Sequence, residues 1–136
     1  MEPTDNLPPP AGRLLVVDDA TIMRMRISEI ARQAGWDVVG EAADGRQLLA
    51  RYAELRPDLV TLDIVMPELD GVEALRCLRH EHPEARVVMV SALDQRAKLR
   101  ECIALGALDF VVKPFDRERL TAIFVRYANR SPAAPR

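Results

Sequence analysis

Short runs of apolar residues alternate along the chain with longer stretches in which apolar residues recur every three or four positions. The short runs are typical of buried β-strands, and the periodic stretches are typical of amphipathic helices. Gly35, Pro57 and Gly106 stand just beyond three of the helical stretches, where such residues commonly end a helix. The pattern predicts five strands, over residues 14–17, 36–42, 58–62, 86–90 and 108–112, and five helices, over residues 21–34, 45–55, 72–80, 95–105 and 117–129.

The alternation of strand and helix predicts the fold class. Continuous apolar strands that are each followed by a helix indicate a parallel sheet with helices on both faces. Right-handed crossover connections leave few topologies for such a chain. We therefore expect an α/β domain with a five-stranded parallel sheet, whose ligands bind beyond the carboxyl ends of the strands.

The 136 residues are enough for one domain. Residues 1–12 are rich in proline and polar residues, which predicts a disordered N-terminal arm. The folded domain is then expected over residues 13–129, and a flexible tail over residues 130–136. The tail fits both a solvated end and the start of a linker to another domain, so both interpretations stay open.

Composition and charge narrow the class of partner. The net charge is −2 and both signs are interspersed, without the basic stripe that direct nucleic-acid binding requires. No apolar run approaches the roughly 18 residues of a membrane span, and the N-terminus lacks a signal pattern, which predicts a cytoplasmic protein without membrane insertion. Cys77 and Cys102 lie in apolar helical patterns and are interpreted as reduced core thiols rather than as a disulfide.

Polar residues stand where four of the predicted strands end: Asp18 and Asp19, Asp63, Ser91 and Lys113. Because the carboxyl ends of parallel strands share one edge of the sheet, we expect these side chains to converge. Clustered carboxylates raise one another's pKa values unless a cation lies among them. Oxygen ligands favour Mg²⁺, with Mn²⁺ as a second candidate, and the lack of imidazole or thiolate at these positions argues against zinc.

This set of side chains suits phosphoryl transfer. A carboxylate can attack phosphorus as a nucleophile and form an aspartyl phosphate. The reaction depends mainly on positioning and on neutralising the charge of the phosphoryl oxygens. The cation and Lys113 would neutralise that charge, and the Ser91 hydroxyl would donate a hydrogen bond to a phosphoryl oxygen.

Four segments also carry a family resemblance: LLVVDDA at 14–20, LVTLDIVMPELDG at 59–71, VVMVSA at 87–92 and DFVVKPF at 109–115. They resemble the motifs of bacterial two-component response-regulator receiver domains, and the resemblance spans about residues 13–129. Residues 91–115 are most similar to the CheY-like single-domain receivers. The resemblance implies a flavodoxin-like (βα)5 fold with strand order 2-1-3-4-5.

The resemblance also assigns roles to residues. It implies that Asp63 accepts the phosphoryl group, and that Asp18, Asp19, Asp63 and the backbone carbonyl of Val65 hold Mg²⁺.

The same resemblance implies a switch. Ser91 would be the switch hydroxyl and Lys113 would contact the phosphoryl group. Phe110 would be the aromatic residue that moves inward on activation, and the Lys113–Pro114 peptide bond is expected to be cis.

We therefore expect a stand-alone signalling receiver, which is not an enzyme beyond its own phosphorylation and dephosphorylation. It would take the phosphoryl group from a histidine kinase and then contact a downstream protein, in chemotaxis or in a phosphorelay. We expect a monomer, and leave dimerisation on phosphorylation open. One alternative is the receiver half of a larger regulator. Another is a Mg²⁺-dependent phosphohydrolase acting through aspartyl phosphate, which Val65 disfavours because haloacid-dehalogenase-type enzymes carry a second aspartate at that position.

Overall fold

Strands and helices alternate along residues 10–128, which are the residues that the computed structural model describes. The strands are β1 (Gly12–Val17), β2 (Trp36–Ala42), β3 (Leu59–Leu62), β4 (Val87–Ala92) and β5 (Asp109–Lys113). The helices are α1 (Thr21–Gln33), α2 (Gly45–Leu55), α3 (Gly71–Glu81), α4 (Arg96–Ala104) and α5 (Arg117–Arg126). Each element lies within a few residues of its predicted position.

The five strands form one parallel sheet with the order β2-β1-β3-β4-β5. This is the 2-1-3-4-5 order that the resemblance implied, and the predicted α/β fold class is confirmed. The chain leaves β1 towards one edge of the sheet and returns through β3 towards the other edge. Such a reversal opens a crevice at the carboxyl ends of the two central strands.

The sheet is buried on both faces because successive strand residues point to opposite sides. In β1, Leu15 and Val17 belong to the core beneath α2, α3 and α4, whereas Leu14 and Val16 belong to the core beneath α1 and α5. The four strand residues are at most 1% exposed. Both cores hold the strand carboxyl ends in fixed positions.

The Trp36 side chain packs the beginning of β2 against α5. Its ring lies 6.1 Å from the ring of Phe124, and its Nε1–H donates to the Phe124 carbonyl oxygen at 2.9 Å. Gly12 passes so close to Trp36 that a Cβ atom there would lie 2.6 Å from the indole ring. The contact lies at the amino-terminal edge of the sheet, away from the strand carboxyl ends.

The folded part begins earlier than predicted. Ala11 is buried, its N–H donates to the Gly35 carbonyl oxygen at 2.9 Å, and Gly12 opens β1. The expectation of a disordered arm reaching residue 12 was therefore wrong for residues 11 and 12. The rest of the predicted arm at 1–9, the last predicted helical residue at 129 and the tail at 130–136 lie outside the described residues.

Most of the other elements begin or end one to three residues from their predicted bounds. A single 3₁₀ turn, Leu93–Gln95, precedes α4, so this helix begins one residue later than predicted. Cys77 and Cys102 are both free thiols. Within residues 10–128, no helix has the length and apolar character needed to cross a membrane.

Candidate functional site

Three carboxylates converge at the carboxyl edge of the sheet. Asp18 directly follows β1 and Asp63 directly follows β3, so the two central strands deliver both residues to the crevice. Asp18, Asp19 and Asp63 each place one carboxylate oxygen within 4.8 Å of the others. The sequence predicted this convergence from the strand ends alone.

Lys113 enters the cluster from the end of β5. Its Nζ lies 2.7 Å from Asp18 Oδ2 and 3.5 Å from Asp63 Oδ2, so it contacts Asp18 more closely than the predicted phospho-acceptor. The ammonium offsets part of the negative charge of the two buried acids. The Lys113–Pro114 peptide bond, which follows directly, is cis.

Asp18 is held firmly at this edge. Its N–H donates to the Ala42 carbonyl oxygen at 3.1 Å, and its Oδ1 accepts from the Ala20 N–H at 2.9 Å. Together with the Lys113 contact, these bonds fix both the backbone and the carboxylate of a residue that is 1% exposed. The position of Asp18 within the cluster is therefore fixed.

Asp63 is buried with an unfavourable charge. The pKa of Asp63 is raised from 3.8 to about 6. Burial raises this pKa most, Lys113 lowers it, Asp18 raises it, and the backbone N–H of Val65 lowers it. The loop after Asp63 folds back so tightly that a Cβ atom on Gly71 would lie 2.2 Å from the Asp63 carbonyl oxygen. Only glycine fits there, and this close approach fixes the backbone that carries the Asp63 carboxylate.

The donor set fits a hard divalent cation. Three oxygen ligands surround a point where net negative charge is only partly offset, and Asp63 resists ionisation without further positive charge. Mg²⁺ or Mn²⁺ prefers such carboxylate ligands and retains water molecules in its other positions. Val65 is half-exposed at the cleft beside Asp63, and the role of its carbonyl as a ligand stays a prediction.

A cleft of about 420 Å³ opens over the cluster. It is lined by Asp19, Asp63, Val65, Ala92, Asp94, Gln95 and Lys113. Sequence reasoning missed Asp94 and Gln95, which the 3₁₀ turn before α4 brings to the rim; no spacing signal marked them. The cleft is wide enough to admit a phosphoryl group beside Asp63.

Ser91 directly precedes Ala92, which belongs to this lining. It is 0% exposed, and its Oγ has no hydrogen-bond partner within residues 10–128. A buried hydroxyl without a partner is unfavourable, because its hydrogen bonds to water are lost and not replaced. Ser91 therefore keeps an unused donor one residue before Ala92, and its predicted role as the switch hydroxyl stays a prediction.

Phe110 faces outward in this structure. The residue is 38% exposed and borders a cavity of about 290 Å³. The other lining residues of that cavity are Arg96, Leu99, Arg100, Ile103 and Val112. The inward movement predicted for Phe110 has an outward starting position here.

Most of the chain is similar in sequence to proteins of a known family. Residues 14–125 match the family described as the response regulator receiver domain. The chemotaxis protein CheY of Thermotoga maritima is 45% identical over 108 residues, which cover 79% of this chain and 90% of that protein. A protein-glutamate methylesterase/protein-glutamine glutaminase of Archaeoglobus fulgidus is 42% identical over 104 residues, 75% of this chain but only 30% of that relative.

A solved structure of the same fold carries the ligands that the site suggests. It is the complex of CheX, CheY, BeF₃ and Mg²⁺ from Borrelia burgdorferi, which superposes with a TM-score of 0.76 at 34% identity. The match covers 83% of this chain and 89% of that chain.

Proposed function

The chain belongs to the response regulator receiver domain family, and from this premise we propose that it is a signalling switch that accepts a phosphoryl group on Asp63. The observation that carries the proposal is the buried Asp63 carboxylate, with two further acids and Lys113 beside it. The donor would be the phosphohistidine of a sensor kinase. The protein would act in the cytoplasm and have no direct nucleic-acid partner.

The chain's own residues would carry the transfer. An Asp63 carboxylate oxygen attacks phosphorus, the P–N bond of the phosphohistidine breaks, and the imidazole nitrogen retains the electron pair. Lys113, already 3.5 Å from Asp63, would neutralise a phosphoryl oxygen, and Ser91 would donate its free hydroxyl to another. Asp18, Asp19, Asp63 and the Val65 carbonyl would hold Mg²⁺, or Mn²⁺, which supplies further charge neutralisation when bound.

The output would be a change of protein contacts. Drawing the Ser91 hydroxyl towards the phosphoryl group would free space beside β5, and Phe110 would move into it, which shifts the population of two conformations. The CheY of Borrelia burgdorferi binds CheX in its complex, so a downstream protein of the chemotaxis type is the proposed partner. The proposed free form is a monomer, and phosphorylation could drive dimerisation.

Two architectures remain open for this receiver. The extent of the match to Thermotoga maritima CheY favours a stand-alone receiver. The match to 30% of the Archaeoglobus fulgidus methylesterase favours a receiver attached to an output enzyme. The size of the native protein in cell extract, read with an antibody against the receiver, separates the two.

The chemistry is tested by incubating the protein with Mg²⁺ and acetyl phosphate and measuring its intact mass. We expect one added phosphoryl group, which is lost in Asp63→Asn and retained in the matched control Asp37→Asn, an exposed acid on β2. An adduct that survives in Asp63→Asn would contradict the assignment. A wild-type protein that gains no mass and binds no beryllofluoride would contradict phospho-acceptance altogether.

A further inference from the structure

An arginine on the first turns of α1 holds the backbone of the acidic cluster. Arg24 Nη1 donates to the carbonyl oxygen of Asp18 at 2.7 Å. The same guanidinium donates from Nε to Glu41 Oε1 at 2.9 Å and from Nη2 to Thr21 Oγ1 at 3.2 Å. Its side chain is only 16% exposed, so three acceptors fix it in one position.

The bond to the Asp18 carbonyl fixes more than Asp18. The Asp18 carbonyl and the Asp19 N–H belong to one planar peptide unit, so the donor on that oxygen also sets the direction in which Asp19 leaves the backbone. Asp18 has its own anchors through Ala20 and Lys113. Asp19 is exposed, and its carboxylate takes part in none of the side-chain hydrogen bonds or ion pairs found within residues 10–128.

We propose that Arg24 is a positioning residue for Asp19 and, through it, for the divalent cation. The inference rests on the proposed function because it concerns the cation of the same site. Glu41 contributes to the same positioning, because it binds the guanidinium from β2 and offsets its charge. Arg24 thereby ties the end of β1, the start of α1 and the end of β2 together behind the metal ligands.

The sign of the effect separates positioning from plain electrostatics. Arg24 is a positive charge near a cation site, so a role limited to its charge predicts that its removal tightens cation binding. A positioning role predicts the opposite, because Asp19 loses its fixed direction. Outer groups that orient metal ligands typically contribute about 10- to 100-fold to metal affinity.

The test measures Mn²⁺ affinity from the paramagnetic resonance signal of free Mn²⁺, with no phosphodonor present. We expect Arg24→Gln to bind Mn²⁺ about tenfold more weakly than wild type. Arg24→Lys keeps the charge but lacks the fork geometry that reaches three acceptors, so its affinity should fall between those of wild type and Arg24→Gln. The matched control is Arg32→Gln, the same change at an exposed position of α1, and it should leave the affinity unchanged. Equal or tighter binding by Arg24→Gln would overturn the proposal.

Phosphorylation supplies a second readout. With acetyl phosphate, Arg24→Gln should need about tenfold more Mg²⁺ for half-maximal rate, yet reach the wild-type rate at saturating Mg²⁺, because Asp63 and Lys113 are untouched. A lower rate that saturating Mg²⁺ does not restore would overturn the positioning role. A wild-type protein that binds no Mn²⁺ and accepts no phosphoryl group would instead contradict the proposed function.

Folding is controlled by thermal unfolding in EDTA. If Arg24→Gln unfolds below the assay temperature, Arg24→Lys replaces it as the decisive variant, because it keeps the positive charge and loses only the fork geometry of the guanidinium. A role limited to charge predicts wild-type affinity for a folded Arg24→Lys, whereas a positioning role predicts weaker Mn²⁺ binding. Wild-type affinity in a folded Arg24→Lys would contradict the proposal.

Discussion

Helices α3 and α4 pack on the same face of the sheet but are held there to very different degrees. Helix α3 buries five residues: Gly71, Val72, Ala74, Leu75 and Leu78. Helix α4 buries two, Leu99 and Cys102. The Asp70 side chain caps α3 by accepting from the Glu73 N–H at 3.0 Å, whereas α4 starts after a 3₁₀ turn without a side-chain cap.

The difference suits the two roles proposed for the site. Helix α3 follows the loop of Asp63, so the proposed acceptor carboxylate lies beside a well-packed element. Helix α4 follows Ser91, and its inner side borders the cavity of Phe110. Elements with little buried apolar surface open at low free-energy cost. The fold therefore keeps the Asp63 carboxylate fixed, whereas α4 is the helix that can move at the lower free-energy cost.

The largest test of this comparison truncates one leucine in each helix. Leu75→Ala should lower the free energy of unfolding by about 4 kcal/mol, and Leu99→Ala by about 2 kcal/mol, because the looser surroundings of α4 can close around the cavity. Urea unfolding measures both. Equal losses would show that α4 is packed as tightly as α3.

The second test measures how much the buried Asp63 carboxylate destabilises the folded protein. Both the folded and unfolded states hold a protonated Asp63 well below pH 3.8, and both hold the carboxylate well above about pH 6, the raised pKa in the folded state. Wild type should therefore lose stability as pH rises through this window. In EDTA, Asp63→Asn should be more stable than wild type by about 1–3 kcal/mol at pH 7.5 and by much less at pH 4.

Urea unfolding at the two pH values checks the change at Asp63. The exposed Asp37→Asn serves as the control and should show no such pH-dependent gain. A gain at Asp63 that is the same at pH 4 and pH 7.5 would mean that the buried charge is not its cause.

The third test removes two buried hydroxyls, one in β3 and one in β4. Thr61 Oγ1 in β3 and Ser91 Oγ in β4 are both buried and have no hydrogen-bond partner in the described part of the chain. Thr61→Val and Ser91→Ala should each raise the free energy of unfolding by up to about 1 kcal/mol. Thermal unfolding checks this, and a loss above about 1 kcal/mol in Ser91→Ala would reveal a partner for that hydroxyl.

The smallest effect is expected at the surface between α3 and α4. Lys98 Nζ lies 3.8 Å from Asp70 Oδ2, and both side chains are partly exposed, so water screens the pair. Lys98→Ala should change the free energy of unfolding by less than about 0.5 kcal/mol. Asp70→Ala, which also removes the cap of α3, should cost about 1 kcal/mol. A large loss in Lys98→Ala would show that this link, rather than packing, holds α4.

The helices, the strands and the convergence of the acids could be predicted from the sequence, because they depend on local patterns. Strand ends in a parallel sheet share an edge, which was enough to bring Asp18, Asp63 and Lys113 together. The strand order required the family resemblance, since periodicity does not rank neighbouring strands. The grip of Arg24 on the Asp18 carbonyl gave no signal, because an arginine near a helix start normally faces solvent. Lys113 lies closer to Asp18 than to Asp63 by less than an ångström, and no sequence pattern predicts so small a difference.

Trp36 gives the protein a built-in optical reporter. It is the chain's single tryptophan, it is buried against Phe124, and it lies at the opposite edge of the sheet from Asp63. Its emission should therefore shift to longer wavelength when the chain denatures and stay constant when a cation or a phosphoryl group binds. Tryptophan emission can accordingly report the unfolding of the chain without a contribution from ligand binding.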